Sequence, residues 1–416
     1  RDNMDKANMY SPDTVVPGGR SLHHNSSLTL EHFKSYKKEK DEKGNLGNKD
    51  KIVEGNMVRI KCTKNKVGIV NREVSVEFTY GMGYTIEADV ASDVSDNGAV
   101  VVNSRIFGEI IKNLPENTVE IKSDDRNFIS IVSGSASYNI KGNNANEYPK
   151  IPIIENSSKV ILSQAILKKM ITKTIFAVSK DDTRQSLTGC CLESDGSTIT
   201  MVAIDGFRMA LRREYIGNDF PVMNFIIPGK ALNESAKIFD GKSEDEEVII
   251  YSSANHLLFD IGNVRVVSRL LQGPFVAYNS IIQKNPQSVM TVNRKALLDA
   301  IERAALIILS DERRCPVQLS MPNSSTLLIT ADTDAGTLKE DIDVSIEGDT
   351  IDIDFNARYL IDALKNIDDE NIRLEFNGSQ GPCIIVPCDG NDFVYLVLPI
   401  RRWLAINSKW LLSICL

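Results

Sequence analysis

The chain carries nearly the same segment three times. The copies are RIFGEIIKNLPENTVEI (105–121), KALNESAKIFDGKSEDEEVII (230–250) and RYLIDALKNIDDENIRL (358–374). Each reads as a short amphipathic helix, a polar acidic turn and a β-branched strand. Their starting positions lie 125 and then 128 residues apart. Spacings this long correspond to whole domains, because solenoid repeats span only about 20–50 residues. The repeat therefore predicts three like domains in tandem, and hence a symmetric object.

A second repeat is interleaved with the first. Its copies are SQAILKKMITKTIFAV (163–178) and NRKALLDAIERAALII (293–308). Both read as helices, with Ser163 and Asn293 as polar N-caps. A strand, a turn and a second strand follow each copy, at 190–213 and 317–344. Each domain is therefore predicted to consist of two halves, each a helix with antiparallel strands, which is an α+β fold.

The first domain is predicted to be short. A weaker copy of the second repeat opens at TKNKVGIVNREV (63–74). Thr63 precedes Ser163 by 100 residues, whereas Ser163 precedes Asn293 by 130. About 30 residues are thus missing, and the predicted helix runs almost directly into YTIEADV (84–90) with no strand–turn pair before it.

Domain boundaries follow from the repeats and from the composition of the two ends. The three domains are assigned to 57–150, 151–285 and 286–401. Residues 1–56 are polar and rich in Lys, Asn, Ser and Gly, which predicts a disordered extension. Residues 402–416, RWLAINSKWLLSICL, form an atypical tail that is too short to cross a membrane. An amphipathic appendage and a read-through tail both remain open for it.

Composition limits the classes of function. The hydrophobic share of 42% and the charged share of 25% are those of an ordinary soluble protein. The sequence contains no apolar run of membrane-spanning length and opens with no signal-peptide pattern. Seven cysteines without framework spacing predict a reducing cytoplasm. Cys383 and Cys388 flank IIVP with no second pair, so core packing is favoured over zinc, and no metal or cofactor is predicted.

The charge of the chain is unevenly distributed. The formal net charge is −8, yet lysines and arginines follow the repeated helices while acidic residues concentrate in turns and strands. One interpretation is a basic surface that holds a polyanion in a protein that stays acidic overall. The other is that these lysines are ordinary solvated helix faces, and the charge pattern alone leaves both open.

Catalytic motifs are not recognisable in the sequence. It has no phosphate-cradling glycine loop, no HExxH and no GxSxG. Asp205, in AIDGFRMA, is best explained as a turn residue.

Large apolar side chains do recur where a strand pattern would leave them exposed. Each alone is more often core, but together they predict a groove for a partner peptide. They are Leu187, Phe207, Met209, Ile281, Leu396, Leu398 and Ile400.

Several segments resemble one family. VAIDGFRMALR (202–212), SRLLQGPFVAYNSIIQ (268–283) and YLVLPIR (395–401) are similar to segments of the bacterial replicative sliding clamp, the beta subunit of DNA polymerase III. IPGKALNE (227–234) and FNARYLIDAL (355–364) also fit. The resemblance covers about residues 57–401, and several independent motifs in the right order make it specific.

The resemblance implies the DNA-clamp fold and a head-to-tail dimer that closes a six-domain ring, with helices inside and antiparallel sheets outside. Duplex DNA would thread the hole, and peptides of the replicative polymerase and the clamp loader would dock in a groove between domains two and three. Carried over by motif, the groove is Leu187, Ile204, Gly206, Phe207, Arg208, Met209, Val276, Ser280, Ile281, Leu396, Leu398, Pro399, Ile400 and Arg401. Phe207 stands where a His is common, and Val276 and Ser280 stand where Pro is usual and Arg frequent.

Further site residues follow from the same resemblance and from the basic helices. The DNA-binding residues are Arg184, Lys230, Lys168 and Lys169. The dimer interface is Tyr138 and Ile140 in the first domain with Leu306 and Ile307 in the third. The leading hypothesis is a non-enzymatic processivity clamp in the cytoplasm. The alternative is a degenerate clamp, a monomeric peptide-binding protein that cannot close a ring, and the short first domain is its evidence.

Overall fold

The computed structural model describes residues 83–400, apart from 116–117, 148–153, 155–157, 218–219, 244, 283–284, 309–315 and 335, together with four strands before residue 83. Five α-helices lie in these residues. They are α1 Ser104–Lys112, α2 Gln164–Thr172, α3 Gly229–Ile238, α4 Arg294–Ile307 and α5 Ala357–Lys365.

The strands, in chain order, alternate with these helices. They are β1 Ser35–Lys37, β2 Ile52–Glu54, β3 Met57–Thr63, β4 Glu73–Tyr80, β5 Tyr84–Ala91, β6 Gly98–Asn103, β7 Glu120–Ser123, β8 Phe128–Ser133, β9 Ala136–Lys141, β10 Asn143–Asn144, β11 Ser158–Ser163, β12 Gly189–Ser194, β13 Thr198–Ile204, β14 Arg208–Tyr215, β15 Met223–Pro228, β16 Glu247–Ser252, β17 His256–Asp260, β18 Val264–Arg269, β19 Ser288–Asn293, β20 Val317–Ser320, β21 Thr326–Thr333, β22 Gly336–Asp343, β23 Ser345–Gly348, β24 Asp352–Phe355, β25 Asn371–Phe376, β26 Cys383–Pro387 and β27 Phe393–Val397.

The chain divides into two compact units. Unit 1 comprises Arg1–Ile171 and Phe225–Gln272, and unit 2 comprises Thr172–Asn224 and Gly273–Leu416. In unit 1 nine antiparallel strands form one sheet in the order β10-β6-β3-β4-β5-β18-β17-β16-β11. A separate sheet has the order β7-β8-β9, and β1 pairs with β2. Phe107, Phe239, Phe259 and Leu167 are among the largest fully buried side chains of this unit.

Strands rather than a helix flank residues 64–72, so one prediction for the first domain is wrong. Thr63 ends β3 and Glu73 begins β4, and the two strands pair in antiparallel register, with Val58 opposite Phe78. A strand pair therefore does precede Tyr84. The physical reason is the period-two alternation in MVRIKCT and EVSVEFTY, which favours strands over a helix. The predicted shortfall of about 30 residues stays a prediction.

The residues before β3 bear on the predicted N-terminal extension. Within 1–56 the structure describes only β1 and β2, which pair in antiparallel register. The rest of that prediction, like the prediction for the tail at 402–416, lies outside the described residues.

In unit 2 the main sheet runs in the order β12-β13-β14-β27-β26-β25-β19-β23. A second sheet has the order β22-β21-β20-β24. The contact between β14 and β27 joins strands that are far apart in sequence, with Met209 opposite Leu396. The buried centre of the unit includes Tyr395, Phe355 and Phe376. Tyr395 also lies 2.8 Å from the carbonyl oxygen of Lys173 through its hydroxyl, so this buried phenol has an acceptor.

The repeated helices are confirmed as α1, α3 and α5, and the second repeat as α2 and α4. The Asn293 side chain accepts a hydrogen bond from the backbone N–H of Ala296 at 3.0 Å, so the predicted cap of α4 is present. The predicted Ser163 cap is wrong, because its buried hydroxyl has no hydrogen-bond partner and Ser163 closes β11. Instead, the backbone N–H of Gln164 at the start of α2 donates to the Glu246 carbonyl at 2.8 Å.

Candidate partner-binding site

Ten buried side chains of unit 2 form one hydrophobic cluster, called here the apolar cluster. It draws on β12, β13, β14, β26 and β27 and on two short 3-10 helices at 185–188 and 278–280. Its members are Leu187, Cys191, Val202, Ile204, Met209, Leu211, Tyr278, Ile384, Val394 and Leu396. Because β14 and β27 are neighbours, residues about 190 positions apart in the chain reach the same surface.

A tight turn between β13 and β14 sets the edge of the cluster. The Asp205 carboxylate accepts hydrogen bonds from the backbone N–H groups of Phe207 at 2.9 Å and Arg208 at 3.0 Å. Gly206 has φ +95°, a conformation that L side chains rarely adopt, so glycine fits this position. Asp205 is thus a turn residue, as the sequence indicates, and the turn presents Phe207 outward.

Exposed apolar side chains border the cluster and form what is called here the rim. Phe207 is 61% exposed, Val276 38% and Leu398 37%. Four half-buried side chains that pack against the apolar cluster complete the rim, namely Phe275, Ile281, Ile282 and Val386. The backbone N–H of Leu398 donates to the Phe207 carbonyl at 2.8 Å, so the two exposed residues are held side by side. Neighbouring exposed apolar side chains such as Phe207 and Leu398 are typical of an interaction site.

Arg208 anchors the rim through charge. Its guanidinium lies 2.9 Å from the Asp205 carboxylate and 2.6 Å from the Asp362 carboxylate, and its side chain is only 11% exposed. The same group sits 4.6 Å from the centre of the Tyr359 ring. Two carboxylates and an aromatic face therefore balance its charge within the protein.

Tyr359 couples this charge network to the exposed aromatic surface. Its ring stacks on Phe207 with the centroids 6.3 Å apart and an interplanar angle of 25°. Burial, with the nearby Asp205 carboxylate, raises the pKa of the Tyr359 phenol above its ordinary value. The phenol is therefore neutral at physiological pH, and Phe207 and Tyr359 form an aromatic platform on top of Arg208.

A second polar contact fixes the segment that carries Val276 and Ile281. The Tyr278 hydroxyl donates to the Glu193 carboxylate, and the Asn224 amide lies 3.4 Å from the other oxygen of that carboxylate. Burial and the Glu193 hydrogen bond hold the pKa of Tyr278 well above its usual range. The phenol therefore stays protonated as the donor, and one side of the rim is tied to β12.

The structure brings most of the predicted groove residues together. Leu187, Ile204, Met209 and Leu396 lie in the cluster, while Phe207, Val276, Ile281 and Leu398 lie in the rim. Gly206 and Arg208 belong to the turn, and Pro399 and Ile400 follow the end of β27 at Val397. The exposed Ser280 donates its hydroxyl to the Ala277 carbonyl at 2.7 Å, which closes its local turn. Arg401 lies outside the described residues.

Among the site residues missed from sequence are Tyr278, Tyr359 and Asp362. Tyr359 and Asp362 lie on α5, where the helical pattern explains them as ordinary amphipathic positions. A signal was available in the repeat itself. The matching positions of α1 carry Ile106 and Glu109, so the position of Tyr359 is aromatic in α5 and aliphatic in α1.

The predicted DNA-binding residues are distributed over both units. Lys168 and Lys169 lie on α2 and Lys230 on α3 in unit 1, while Arg184 is an exposed residue of unit 2. Lys169 and Lys230 are also exposed. Lys168 is half-buried, and its ammonium donates to the Phe239 carbonyl at 2.9 Å. Its charge thus already has a partner in the fold, and a DNA-binding role for these residues stays a prediction.

The predicted dimer residues lie on an edge strand and at a helix end. Tyr138 and Ile140 lie on β9, the edge strand of its three-stranded sheet. Leu306 is 67% exposed and Ile307 is half-buried at the C-terminal end of α4. Within unit 2 the edge strand β22 pairs with β21, and Glu340 on β22 forms an ion pair with Arg303 on α4. Interface roles for these residues stay predictions.

The described residues contain neither a candidate membrane span nor a candidate metal site. None of the helices there is both long and apolar enough to cross a membrane. Likewise, the described part of the chain brings together no group of three or more His, Cys, Asp and Glu side chains suited to a metal ion. Four cysteines there are free thiols, and burial raises the pKa of Cys190 and of Cys191 to about 12, so both are protonated packing residues.

Family profiles match the chain in three consecutive parts. The DNA polymerase III beta subunit profiles match as the N-terminal domain at residues 41–152, the central domain at 161–276 and the C-terminal domain at 279–401. Together these matches describe a sliding-clamp fold of three domains.

Individual relatives agree with these profiles. A beta sliding clamp of Staphylococcus epidermidis is 31% identical over 349 residues, 83% of this chain and 91% of the relative. A beta sliding clamp of Halalkalibacterium halodurans is 34% identical over 316 residues, 75% of this chain and 82% of the relative. Among solved structures, the DNA polymerase sliding clamp of Bacillus subtilis superimposes with a TM-score of 0.75 at 32% identity, over 83% of this chain and 91% of that one. A DNA polymerase III beta subunit from Eubacterium rectale gives a TM-score of 0.76 at 30% identity, over 83% of this chain and 90% of that one.

Proposed function

Because this chain belongs to the family of the DNA polymerase III beta subunit, the bacterial beta sliding clamps, we propose that it encircles duplex DNA and tethers the replicative polymerase to it. Two copies join head to tail into a ring, and each copy offers one docking site for peptides of the polymerase and the clamp loader. The clamp acts without catalysing a reaction, and its place of work is the cytoplasm.

The apolar cluster with its rim is the observation that carries the docking part of the proposal. A peptide segment binds through a few buried anchor side chains, and the exposed faces of Phe207, Val276 and Leu398 offer apolar surface to such anchors. Arg208 is balanced by Asp205 and Asp362, so the site takes up an apolar or aromatic anchor without leaving a charge unpaired.

The proposed ring closure rests on two edge strands, each of which has a neighbour on one side only within its own sheet. Strand β9 ends one sheet of unit 1, and β22 ends one sheet of unit 2. Pairing β9 of one copy with β22 of the next continues a sheet across the subunits. The exposed side chains of Tyr138 and Leu306 then supply apolar contact beside the new strand pair.

The proposed retention on DNA rests on encirclement of the duplex and not on tight contact with it. Arg184, Lys169 and Lys230 are exposed cations that face duplex DNA from the inner helices and adjoining loops in the proposed ring. Such contacts are weak and fall steeply with salt, because each phosphate contact releases a condensed counterion. A closed ring needs no more, since escape from DNA requires opening of the ring.

A processivity assay tests the proposal. The protein is added with a bacterial replicative polymerase and clamp loader to a primed circular single-stranded template, and product lengths are compared with and without it. Products that grow from short to full length in a single binding event support the clamp. Unchanged product lengths, with polymerase and loader shown to be active on a known clamp, count against it.

A further inference from the structure

A row of polar residues continues the sheet face that carries the apolar cluster. Side chains on a strand alternate between the two faces, so every second residue lies on the same face. Three members of the cluster are cross-strand neighbours on β12, β13 and β14, namely Cys191, Val202 and Leu211. Two residues further along these strands, the same pairing aligns Glu193, Thr200 and Arg213, called here the polar row. The polar row therefore lies about 7 Å beyond the cluster on the same face.

The contacts of the adjacent arginine place it on the opposite face. The Arg212 guanidinium donates to the Glu214 carboxylate at 2.9 and 3.0 Å, and the Asp392 carboxylate lies 3.6 Å from it. Arg213 stands between Arg212 and Glu214 in sequence and therefore projects to the side of the cluster. Burial and the Glu193 hydrogen bond raise the pKa of the Tyr278 phenol, while the nearby Arg213 cation lowers it. Arg213 thus lies close to Tyr278, on the side of the sheet where peptides are proposed to dock.

The two charged members of the polar row differ in their partners. The Glu193 carboxylate accepts from the Tyr278 hydroxyl through one oxygen and from the Asn224 amide, at 3.4 Å, through the other. The half-buried Arg213 donates through Nη1 to the Asn391 carbonyl at 3.2 Å, which is a neutral acceptor. Among the described residues Arg213 forms no ion pair. Because a guanidinium carries more N–H donors than one carbonyl engages, Arg213 has donors left for a ligand.

The polar row adjoins the rim. The short segment that carries the exposed Val276 also carries Tyr278, whose hydroxyl reaches Glu193. Along β14, Arg213 lies five residues after Arg208, a separation of about 17 Å. An extended peptide covers that distance in about five residues. A peptide whose apolar anchor lies on the rim can therefore place a second side chain at Arg213.

We propose that the polar row extends the partner-peptide site, and that Arg213 binds a carboxylate of the docked peptide about five residues from its apolar anchor. The inference rests on the proposed function in taking the rim as the anchor site. A guanidinium binds a carboxylate through two parallel N–H···O bonds, which makes the contact selective as well as attractive. A basic side chain is disfavoured there, because Arg213 repels it and both oxygens of Glu193 are engaged.

Selection from a library of random phage-displayed peptides tests the proposal without prior choice of a partner. The full chain, Arg213→Glu and Arg126→Glu are each used as the target. We expect the full chain to enrich peptides that share an apolar anchor and an Asp or Glu about five residues away. Arg213→Glu should keep the anchor and replace the acidic residue by Lys or Arg. Arg126→Glu makes the same charge change at an exposed residue of unit 1 and should select the same peptides as the unmodified chain.

Titration of one selected peptide gives the size of the effect. The peptide and a version with glutamine in place of its acidic residue are labelled with fluorescein, and binding is followed by anisotropy. The unmodified chain should prefer the acidic version by about 3- to 10-fold at low salt and by less at high salt. Arg213→Gln should bind both versions equally and leave the affinity for the glutamine version unchanged. That second result shows that the variant keeps its anchor site, which a misfolded protein would not.

The proposal is overturned if the selected peptides carry no acidic residue at a fixed distance from the anchor. It is also overturned if Arg213→Glu selects the same acidic residue, or if Arg213→Gln keeps the preference for the acidic version. Peptides that share an apolar anchor alone leave the proposed docking site in place and remove only the role of Arg213. Absence of any enriched peptide contradicts the docking part of the proposed function and this inference with it, so the two failures are distinguishable.

Discussion

Helices α1 and α5 are two copies of the same sequence repeat, but only α5 contributes residues to the candidate partner-binding site. Asn103 caps α1 by accepting from the N–H of Ile106 at 3.1 Å, and Asn356 caps α5 by accepting from the N–H of Arg358 at 3.0 Å. Both helices end in Lys-Asn. The side-chain amide of that Asn donates to the carbonyl four residues back, at 2.7 Å for Asn113 and 2.8 Å for Asn366. The caps determine where each helix starts and stops; both use Asn at each end, although the N-cap bond spans three residues in α1 and two in α5.

The surfaces of the two helices differ at matched positions. Tyr359 of α5 stacks on Phe207, and Asp362 pairs with Arg208. The matching residues of α1 are Ile106, which is 52% exposed, and Glu109, which is also exposed. The repeat thus supplies a scaffold, and substitutions at two of its surface positions make one copy part of a candidate binding site. The same fold therefore does not give the same function to each domain.

The largest expected difference is in the free energy of unfolding, between a substitution in the Arg208 network beside α5 and one on α1. Arg208→Leu removes the cation from between Asp205 and Asp362, both of which lie partly buried. Breaking such a network costs about 3 kcal/mol of unfolding free energy, because the carboxylates lose their partner. Glu109→Gln on α1 should change it by less than about 0.5 kcal/mol. Urea denaturation of each variant measures both, and equal losses would mean that the Arg208 network adds nothing to unit 2.

Peptide affinity should differ nearly as strongly between a substitution at the rim and a matched substitution on α1. Leu398→Asp is expected to weaken clamp-binding peptides of the polymerase by at least about 2 kcal/mol, roughly thirtyfold, since it places a charge where an apolar anchor binds. Ile106→Asp, at an exposed residue of α1, is the matched control and should leave affinity unchanged. Met209 is a poorer target than Leu398, because it is buried in the apolar cluster and Met209→Asp would test folding. Calorimetric titration decides, and unchanged affinity of a folded Leu398→Asp protein would rule out the groove assignment.

A smaller loss of peptide affinity is expected when the Tyr359 position of α5 is given the residue that α1 carries. Tyr359→Ile gives α5 the residue of α1 and removes the stacking partner of Phe207 and the ring beside Arg208. Affinity for an aromatic-ended peptide should fall by about 1 kcal/mol, or about fivefold. The reciprocal Ile106→Tyr should give no gain. A Tyr359→Ile protein that binds as tightly as the unmodified chain would show that the aromatic platform takes no part in docking.

The caps should give no difference between the copies. Asn103→Ala and Asn356→Ala each remove one side-chain acceptor from a helix N-terminus and should each cost about 1 kcal/mol of stability. Paired urea titrations test this equality. A cost confined to one helix would show that the two copies do not share their local scaffold.

Local features were predictable from the sequence, while long-range ones were not. Asn293 and the helices α1, α3 and α5 follow from patterns within a few residues, as does the Asp205 turn. The pairing of Met209 with Leu396 joins residues about 190 positions apart, and the sequence predicts only that both belong to one apolar groove. A weak likeness to the second repeat predicts a helix at 63–74, whereas the period-two alternation on both sides of it forms a strand pair. Tyr359 was missed because its partner Phe207 is distant in sequence.

Retention on DNA of different topology tests the central claim most directly. The protein is loaded onto closed circular duplex DNA with a clamp loader, isolated by gel filtration at physiological salt, and followed before and after one restriction cut. The account predicts that it stays on the circle, leaves within minutes after linearisation, and binds short linear duplex only weakly at low salt. Rapid loss from the intact circle, or tight salt-resistant binding to short linear DNA, would contradict encirclement.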